Sequence, residues 1–160
     1  MATPTRADGG QCESVPHYLR PDWFTTNVAN RLVSGLSRLG LDMRGARVLH
    51  VRGRTSGEWR SNPVNLLTLD GARYLVAPRG HTQWVRNLRA AGQGELQKGR
   101  RREAFHATEV DDESKLPVLR AYLERWGFEV GAFFDGVAAS APESELRRIA
   151  PDHPVFRIQP

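Results

Sequence analysis

The stretch Arg47-Val48-Leu49-His50-Val51-Arg52, then Gly53-Arg54-Thr55-Ser56-Gly57-Glu58, then Arg60 to Leu69, Asp70-Gly71 and Tyr74-Leu75-Val76-Ala77 decides the fold. Two runs rich in branched aliphatic residues flank a polar, glycine-bounded hexapeptide, so the segment reads as strand, turn, strand. Asp70-Gly71 is a strong hairpin signal and delivers a third strand. Consecutive antiparallel strands argue for an α+β architecture or a small barrel and against the strand-helix alternation of a parallel sheet.

Downstream, His81 to Ala91 places Trp84, Val85 and Leu88 on one helical face and ends near Gly92. Gly94 to Lys98 and Glu103 to Val110 read as a hairpin around Lys98-Gly99-Arg100-Arg101-Arg102. Ser114 to Arg125 is a helix with Leu116, Leu119, Leu123 and Trp126 as its stripe. A short helix follows Pro142, with Glu143 and Glu145 in its first turn and Arg147 and Arg148 in its last, as the helix dipole favours. Val155-Phe156-Arg157-Ile158 makes a closing strand. Upstream, Val28, Leu32, Leu36 and Leu39 recur at helical spacing between a cap at Thr25 or Thr26 and a stop at Gly40. That amphipathic helix is expected to cover one side of a sheet, since its polar face lacks the strong basicity of a membrane-surface helix. Residues 1–22 read as a flexible leader and 23–160 as a single domain, with no internal repeat.

A length of 160 residues suits one domain. Hydrophobic residues at 39% and charged residues at 26% exclude wholesale disorder and a collagen-like chain. The single cysteine, Cys12, excludes an internal disulfide framework and a cysteine-rich zinc site. No apolar run reaches the roughly 20 residues of a membrane span, and the start of the chain lacks a signal-peptide core, so a cytoplasmic protein is expected. The net charge of +5 is unevenly spread. Residues 44–102 hold thirteen Lys and Arg against Glu58, Asp70 and Glu95, a local +10, which leaves −5 for the remainder. All but Lys98 and Lys115 of the cations are arginines, whose planar fork suits phosphate and carboxylate. A basic centre in an acidic frame implies an anionic partner.

The turn Gly53-Arg54-Thr55-Ser56-Gly57 concentrates what a phosphate requires: glycines for close backbone approach, amide donors, two hydroxyls and a guanidinium. It lacks the ending and the following helix of a Walker A loop, and alone it reads equally as an ordinary polar turn. Arg52, Arg60 and Arg79 are expected to converge on its side. Ala77-Pro78-Arg79-Gly80-His81-Thr82-Gln83-Trp84-Val85-Arg86-Asn87-Leu88 brings a helix N-terminus, an anion-favouring element, close to them. Within that segment Trp84 by itself reads as core and Asn87 as a structural hydrogen bonder.

Taken jointly, Gly53 to Gly57, Arg60, Asn62-Pro63, Ala77-Pro78-Arg79-Gly80 and Trp84-Val85-Arg86-Asn87-Leu88 resemble the deazaflavin-dependent nitroreductase family, over roughly residues 28–158 and most densely over 47–96. The resemblance implies a split β-barrel, FMN-binding-like, of mainly antiparallel strands with flanking helices. It also implies reduction of quinones, nitroaromatics or activated alkenes by the reduced 8-hydroxy-5-deazaflavin coenzyme F420. It would put the coenzyme's phosphate and acidic tail near Arg54, Thr55, Ser56 and Arg60, and run its tricycle along Asn62, Pro63, Val64 and Asn65. Val76, Ala77, Pro78 and Arg79, with Gln83, Trp84 and Asn87, would close the other side. The family often carries Lys where Thr55 stands, which implies either weaker tail affinity or a heavier share for Arg52 and Arg60. Trp126, Phe128, Phe133 and Phe134 fall in the family's substrate-side region but read as core.

The reaction is hydride transfer carried by the cofactor, with a small-molecule acceptor as partner and no catalytic nucleophile required. His81 is a candidate general acid, set against a solvent-facing histidine at a helix start. His50, His106 and His153 are scattered, and no metal site is expected. A monomer or homodimer is expected. The alternatives are an FMN-binding split barrel with a comparable phosphate site, a non-enzymatic cofactor carrier, and nucleic-acid binding led by Arg100-Arg101-Arg102. The last lacks interleaved aromatics and any nucleic-acid motif, so no nucleic-acid partner is expected.

Overall fold

In the computed structural model, residues 45–160 are described. The expected leader and the helix at 26–40 lie outside them. Strand β1 (Ala46–Arg52) pairs with β2 (Trp59–Leu69), which continues into β3 (Ala72–Val76). After helix α1 (Gln83–Ala91) come β4 (Gln93–Lys98) and β5 (Arg101–Glu109), then α2 (Leu116–Val130), α3 (Glu143–Ile149) and β6 (Val155–Gln159). All pairings are antiparallel, in the order β1-β2-β3-β6-β5-β4, and β4 returns to β1 to close a barrel. Asp70 and Gly71 both take positive φ, 49° and 76°, as the two-residue hairpin demands.

Strand alternation sorts the side chains into two cores. Leu49, Val51, Val64, Leu75, Leu96, Phe105, Phe156 and Ile158 fill the barrel, and α1 plugs it with Trp84, Val85 and Leu88. Outside, Leu67, Val76 and Val155 meet Leu119, Tyr122, Leu123, Trp126, Leu146 and Ile149 of α2 and α3. Leu75 and Val76 thus bury β3 on both faces. Fully burying side chains of this size contributes roughly 1.5–3 kcal/mol each. Gly45, at φ 92°, lies where a Cβ would stand 2.7 Å from the Leu66 carbonyl oxygen, so only glycine fits beside β2.

Several boundaries differ from the sequence reading, three of them for a visible physical reason. Helix α2 runs on to Val130 because Trp126 and Val130 continue its buried stripe past Gly127. Helix α1 starts at Gln83 rather than His81, since Gly80 takes φ 78° and accepts the Thr82 amide in a turn of its own. Strand β5 begins at Arg101, leaving Gly99-Arg100 as a two-residue turn.

The register also divides the basic segment. Val48 pairs with Gln97 and His50 with Glu95, so the tip at Gly99-Arg100 lies at the Ala46 end of β1, while the turn at 53–58 lies beyond Arg52 at the other end. A seven-residue strand separates the ends by roughly 20 Å. The local +10 is therefore two cationic zones, not one. No helix among the described residues is long and apolar enough to cross a membrane.

Candidate functional site

The turn after β1 closes on itself. Gly53 donates its amide to the Glu58 carbonyl (2.8 Å), Gly57 donates to the Gly53 carbonyl (2.8 Å), and the Glu58 amide reaches Ser56 Oγ (3.3 Å). Gly57 takes φ 69°, and a Cβ on Gly53 would meet Ser56 Oγ at 2.8 Å, which explains both glycines. Arg54 is pinned to α1: Asn87 Oδ1 accepts its backbone amide at 3.2 Å and its Nη1 at 2.9 Å, and Gln83 Oε1 accepts Nη1 at 2.8 Å. Asn87 is buried while Arg54 is exposed, so a rigid helix holds a solvent-facing guanidinium whose Nε and Nη2 stay available. The amides of Thr55 and Ser56 have no partner among the described residues.

Partner chemistry separates the cations. Arg73 pairs with Glu103 (2.9 Å), Arg89 with Glu109 through two hydrogen bonds (2.7 and 2.5 Å), and Arg102 with Glu95 (3.5 Å). The guanidinium of Arg89 holds the Glu109 carboxyl below its ordinary range. Among the described residues Arg52 and Arg54 have neutral partners: Arg52 donates to the Gly57 carbonyl (2.9 Å) and lies 4.4 Å over the Trp59 ring. Arg60 meets Glu58 at 3.4 Å across an exposed pair, worth under about 1 kcal/mol. Among the described residues, the turn at 52–60 thus holds two guanidiniums, those of Arg52 and Arg54, that no carboxylate offsets.

Beside this turn the barrel opens. The β2–β3 ladder begins only at Leu66 opposite Leu75, so the first half of β2 has a neighbour on one side, β1. The Leu66 amide donates toward β1, to the Gly45 carbonyl at 2.8 Å. Because backbone groups alternate sides along a strand, Asn62 and Val64 also direct theirs to β1, while Ser61, Pro63 and Asn65 present theirs to the open edge. Pro63 is tolerated for that reason: the hydrogen-bond donor it lacks would have faced no strand. Across the opening, Val76-Ala77-Pro78-Arg79 leaves β3, with the Ala77 amide held by the Pro154 carbonyl at 2.9 Å.

The structure thus brings together Arg54, Thr55, Ser56, Gln83 and Asn87, with Arg60 nearby, and sets the 62–65 and 76–79 segments on two sides of one opening. Val64, Val76, Ala77 and Trp84 are buried, and Trp84 packs on Phe156 with ring centroids 6.1 Å apart. Of these, Val76 can offer a ligand only backbone, while Val64 turns its backbone to β1, the Ala77 amide is held by Pro154 and Trp84 is barrel core. The amide oxygens of Gln83 and Asn87 are occupied by Arg54, so both act on the site through it. The Arg79 guanidinium lies 5.5 Å over Phe133 rather than at the turn.

His81 is not poised as an acid, since Arg89 Nη1 donates to its Nδ1 (3.1 Å) and its Nε2 donates to the Pro151 carbonyl (3.1 Å). The late aromatics divide: Trp126 and Phe134 are core, Phe133 is half-buried, and Phe128 is 69% exposed. Phe134 stacks on buried His153 at 4.2 Å, and His153 Nδ1 approaches the Ala77 carbonyl at 3.4 Å, which backs the 76–79 wall. Two residues escaped the sequence reading. Trp59, 45% exposed beside the turn, is signalled only by an aromatic directly after it. Tyr122 receives Asn65 Nδ2 at 3.5 Å, and burial pushes its hydroxyl up to about 12. Among the described residues no group of His, Cys, Asp and Glu is placed to hold a metal.

An antiparallel barrel split along one strand, with an uncompensated arginine turn at the opening, defines a cofactor-binding split barrel. The family model for F420H(2)-dependent quinone reductase matches residues 23–127. The chain belongs to that family and is an F420H2-dependent reductase. Among solved structures it is similar to the F420-H2 dependent reductase FDR-A, with 18% identity, TM-score 0.53, and coverage of 72% of this chain and 95% of that one. It is also similar to a protein described as a domain-swapped dimer (18% identity, TM-score 0.54, covering 82% and 94%). A third is General Stress Protein 26 from Bacillus anthracis str. Sterne (10% identity, TM-score 0.50, covering 81% and 89%). At such identities these structures bear on the fold alone. No curated protein matches.

Proposed function

We propose that the chain transfers a hydride from F420H2 to an electron-poor small molecule, a quinone foremost and nitroaromatics or activated alkenes as further acceptors. The coenzyme's phosphate and acidic tail are assigned to residues 52–60 and its ring system to the open edge of β2. The observation that carries this reading is the pair Arg52 and Arg54, cations without carboxylate partners among the described residues, next to the amides of Thr55 and Ser56, which likewise have no partner among them. That donor set fits a phosphate and carboxylates, and an anion there would offset charge that the fold leaves exposed. When bound, the deazaflavin supplies the hydride.

The chain's own residues bind and orient. Arg54, immobilised by Gln83 and Asn87, offers Nε and Nη2 to an anionic oxygen. Thr55 adds a hydroxyl without charge, so Arg52 and Arg60 hold the acidic tail. Ser61, Pro63 and Asn65 offer the backbone of one side of the slot, and Val76 to Arg79 form the other. A groove of about 310 Å³ at the far end of β2 is a poorer match, because Asp70, Glu124 and Glu143 line it against the single cation Arg120.

Titration of the purified protein with F420, followed by quenching of the coenzyme's fluorescence, tests the assignment. Binding is expected at or below the order of tens of micromolar, within the usual range for enzyme ligands. With F420H2 and a soluble quinone, the oxidised coenzyme's absorbance should reappear. A folded protein that leaves the fluorescence unchanged refutes the reading.

A further inference from the structure

The outer face of the barrel carries a hydrogen-bonded chain of side chains that the reductase reading does not use, since it draws on Ser61 through backbone alone. His50 on β1, 7% exposed, lies opposite Ser61 on β2, and its Nδ1 is 2.8 Å from Ser61 Oγ. Its Nε2 is 2.7 Å from Gln97 Oε1 on β4. Gln97 Nε2 donates to the Gly99 carbonyl at 2.7 Å, so Oε1 is the atom turned to accept from the imidazole. The ring proton is therefore on Nε2, and the Nδ1 lone pair faces an exposed serine hydroxyl. A hydroxyl, a base within hydrogen-bond reach and a third group that fixes the base's tautomer are the parts of an activated nucleophile.

We propose that Ser61 is a nucleophile activated by His50 and takes an acyl group from small activated esters. Oγ bonds to the carbonyl carbon while its proton passes to His50 Nδ1. The ester C–O bond then breaks, and the departing alcohol takes that proton. Water, deprotonated by the same nitrogen, hydrolyses the Ser61 ester to the free acid and restores the hydroxyl. The Ser61 amide, turned to the unpaired edge of β2 by strand alternation, is the donor beside the developing oxyanion. Gln97 is neutral and does not balance an imidazolium. The charged groups around the ring are Glu95 opposite it on β4, Arg102 of β5 bound to Glu95, and Arg52 farther along β1.

The test treats the full-length chain with p-nitrophenyl acetate and with a fluorophosphonate, reading the adduct by intact mass and peptide mapping. One adduct per chain on Ser61 is expected, absent in S61A. His50→Gln should slow labelling about 100-fold, the scale of a general base. Gln97→Leu, which frees the tautomer, should slow it about tenfold or more by the same argument. A folded wild-type protein with no adduct on Ser61 overturns the proposal, as does an unchanged rate in H50Q. If H50Q loses its cooperative melt, an unchanged rate in Q97L serves the same purpose. These outcomes are independent of whether F420 binds.

Discussion

Asn87→Leu isolates the contribution of a buried side chain to a ligand it need not touch. Asn87 Oδ1 accepts twice from Arg54, from the amide at 3.2 Å and from Nη1 at 2.9 Å. Leucine keeps the branched shape, with bulkier methyls, and removes both. The neutral bond is worth about 1 kcal/mol, and the charged one less than its nominal value because Arg54 is exposed and water replaces the acceptor. The fold should lose roughly 1–2 kcal/mol, a Tm shift of about 2–8 °C at this chain length. Freed, the Arg54 side chain must be immobilised again when an anion binds, at about 0.5–1.5 kcal/mol, which weakens Kd for F420 by roughly 3- to 10-fold. The assay is fluorescence titration of wild type, N87L, R54A and the double variant. If Asn87 acts only through Arg54, N87L adds nothing in the R54A background, within about 0.3–0.5 kcal/mol. An N87L protein that melts cooperatively and binds F420 as wild type does, or equal losses in both backgrounds, refutes the reasoning.

R54A should weaken binding of long-tailed F420 more than that of a tailless analogue, measured by the same titration, since the proposed site sets this guanidinium against the acidic part. Gly57→Ala should cost about 1–2 kcal/mol from backbone strain alone, because its φ is 69° and nothing lies within 4 Å of the new Cβ. Gly45→Ala, meeting Leu66 O at 2.7 Å and Trp126 at 3.1 Å, should cost clearly more in denaturant melts. The Tyr122 hydroxyl, pushed up to about 12 by burial, binds its proton more tightly folded than unfolded. Its contribution is complete below pH 10, the ordinary tyrosine value, and is lost between pH 10 and about 12; ultraviolet titration should show Tyr122 ionising with unfolding, a loss absent in Y122F. Glu109 has the opposite sign: Arg89 lowers its pKa, so its contribution is present above 4.5 and lost as pH falls through the folded value. Because that pair is over a third exposed, E109Q should change acid stability by less than about 1 kcal/mol.

The legible parts of the molecule share one property, locality. The hairpin at Asp70-Gly71, the stop of α1 at Gly92 with φ 66°, and the charge order of α3 arise within a few residues, so propensity and spacing suffice to find them. The end of α2 was missed because Gly127 interrupts the propensity signal, and only packing of Trp126 and Val130 against the sheet carries the helix past it. The turn at 53–57 was legible as an anion site in kind, and ambiguous between ligand and ordinary hairpin.

Composition and order determined the basic centre, the antiparallel α+β class and the polar, glycine-bounded turn at 53–57, because charge, glycine placement and strand period are properties of consecutive residues. Which arginines keep their charge was decided by tertiary structure. Arg54 meets neutral acceptors 29 and 33 residues away, while Arg89 meets a carboxylate 20 residues on. The same holds for the opening of β2, which exists because pairing to β3 starts at Leu66, and for His50, whose partners lie 11 and 47 residues off. Strand register and the seating of α1 determine which of these groups meet, and both are agreements between distant segments that no local stretch contains.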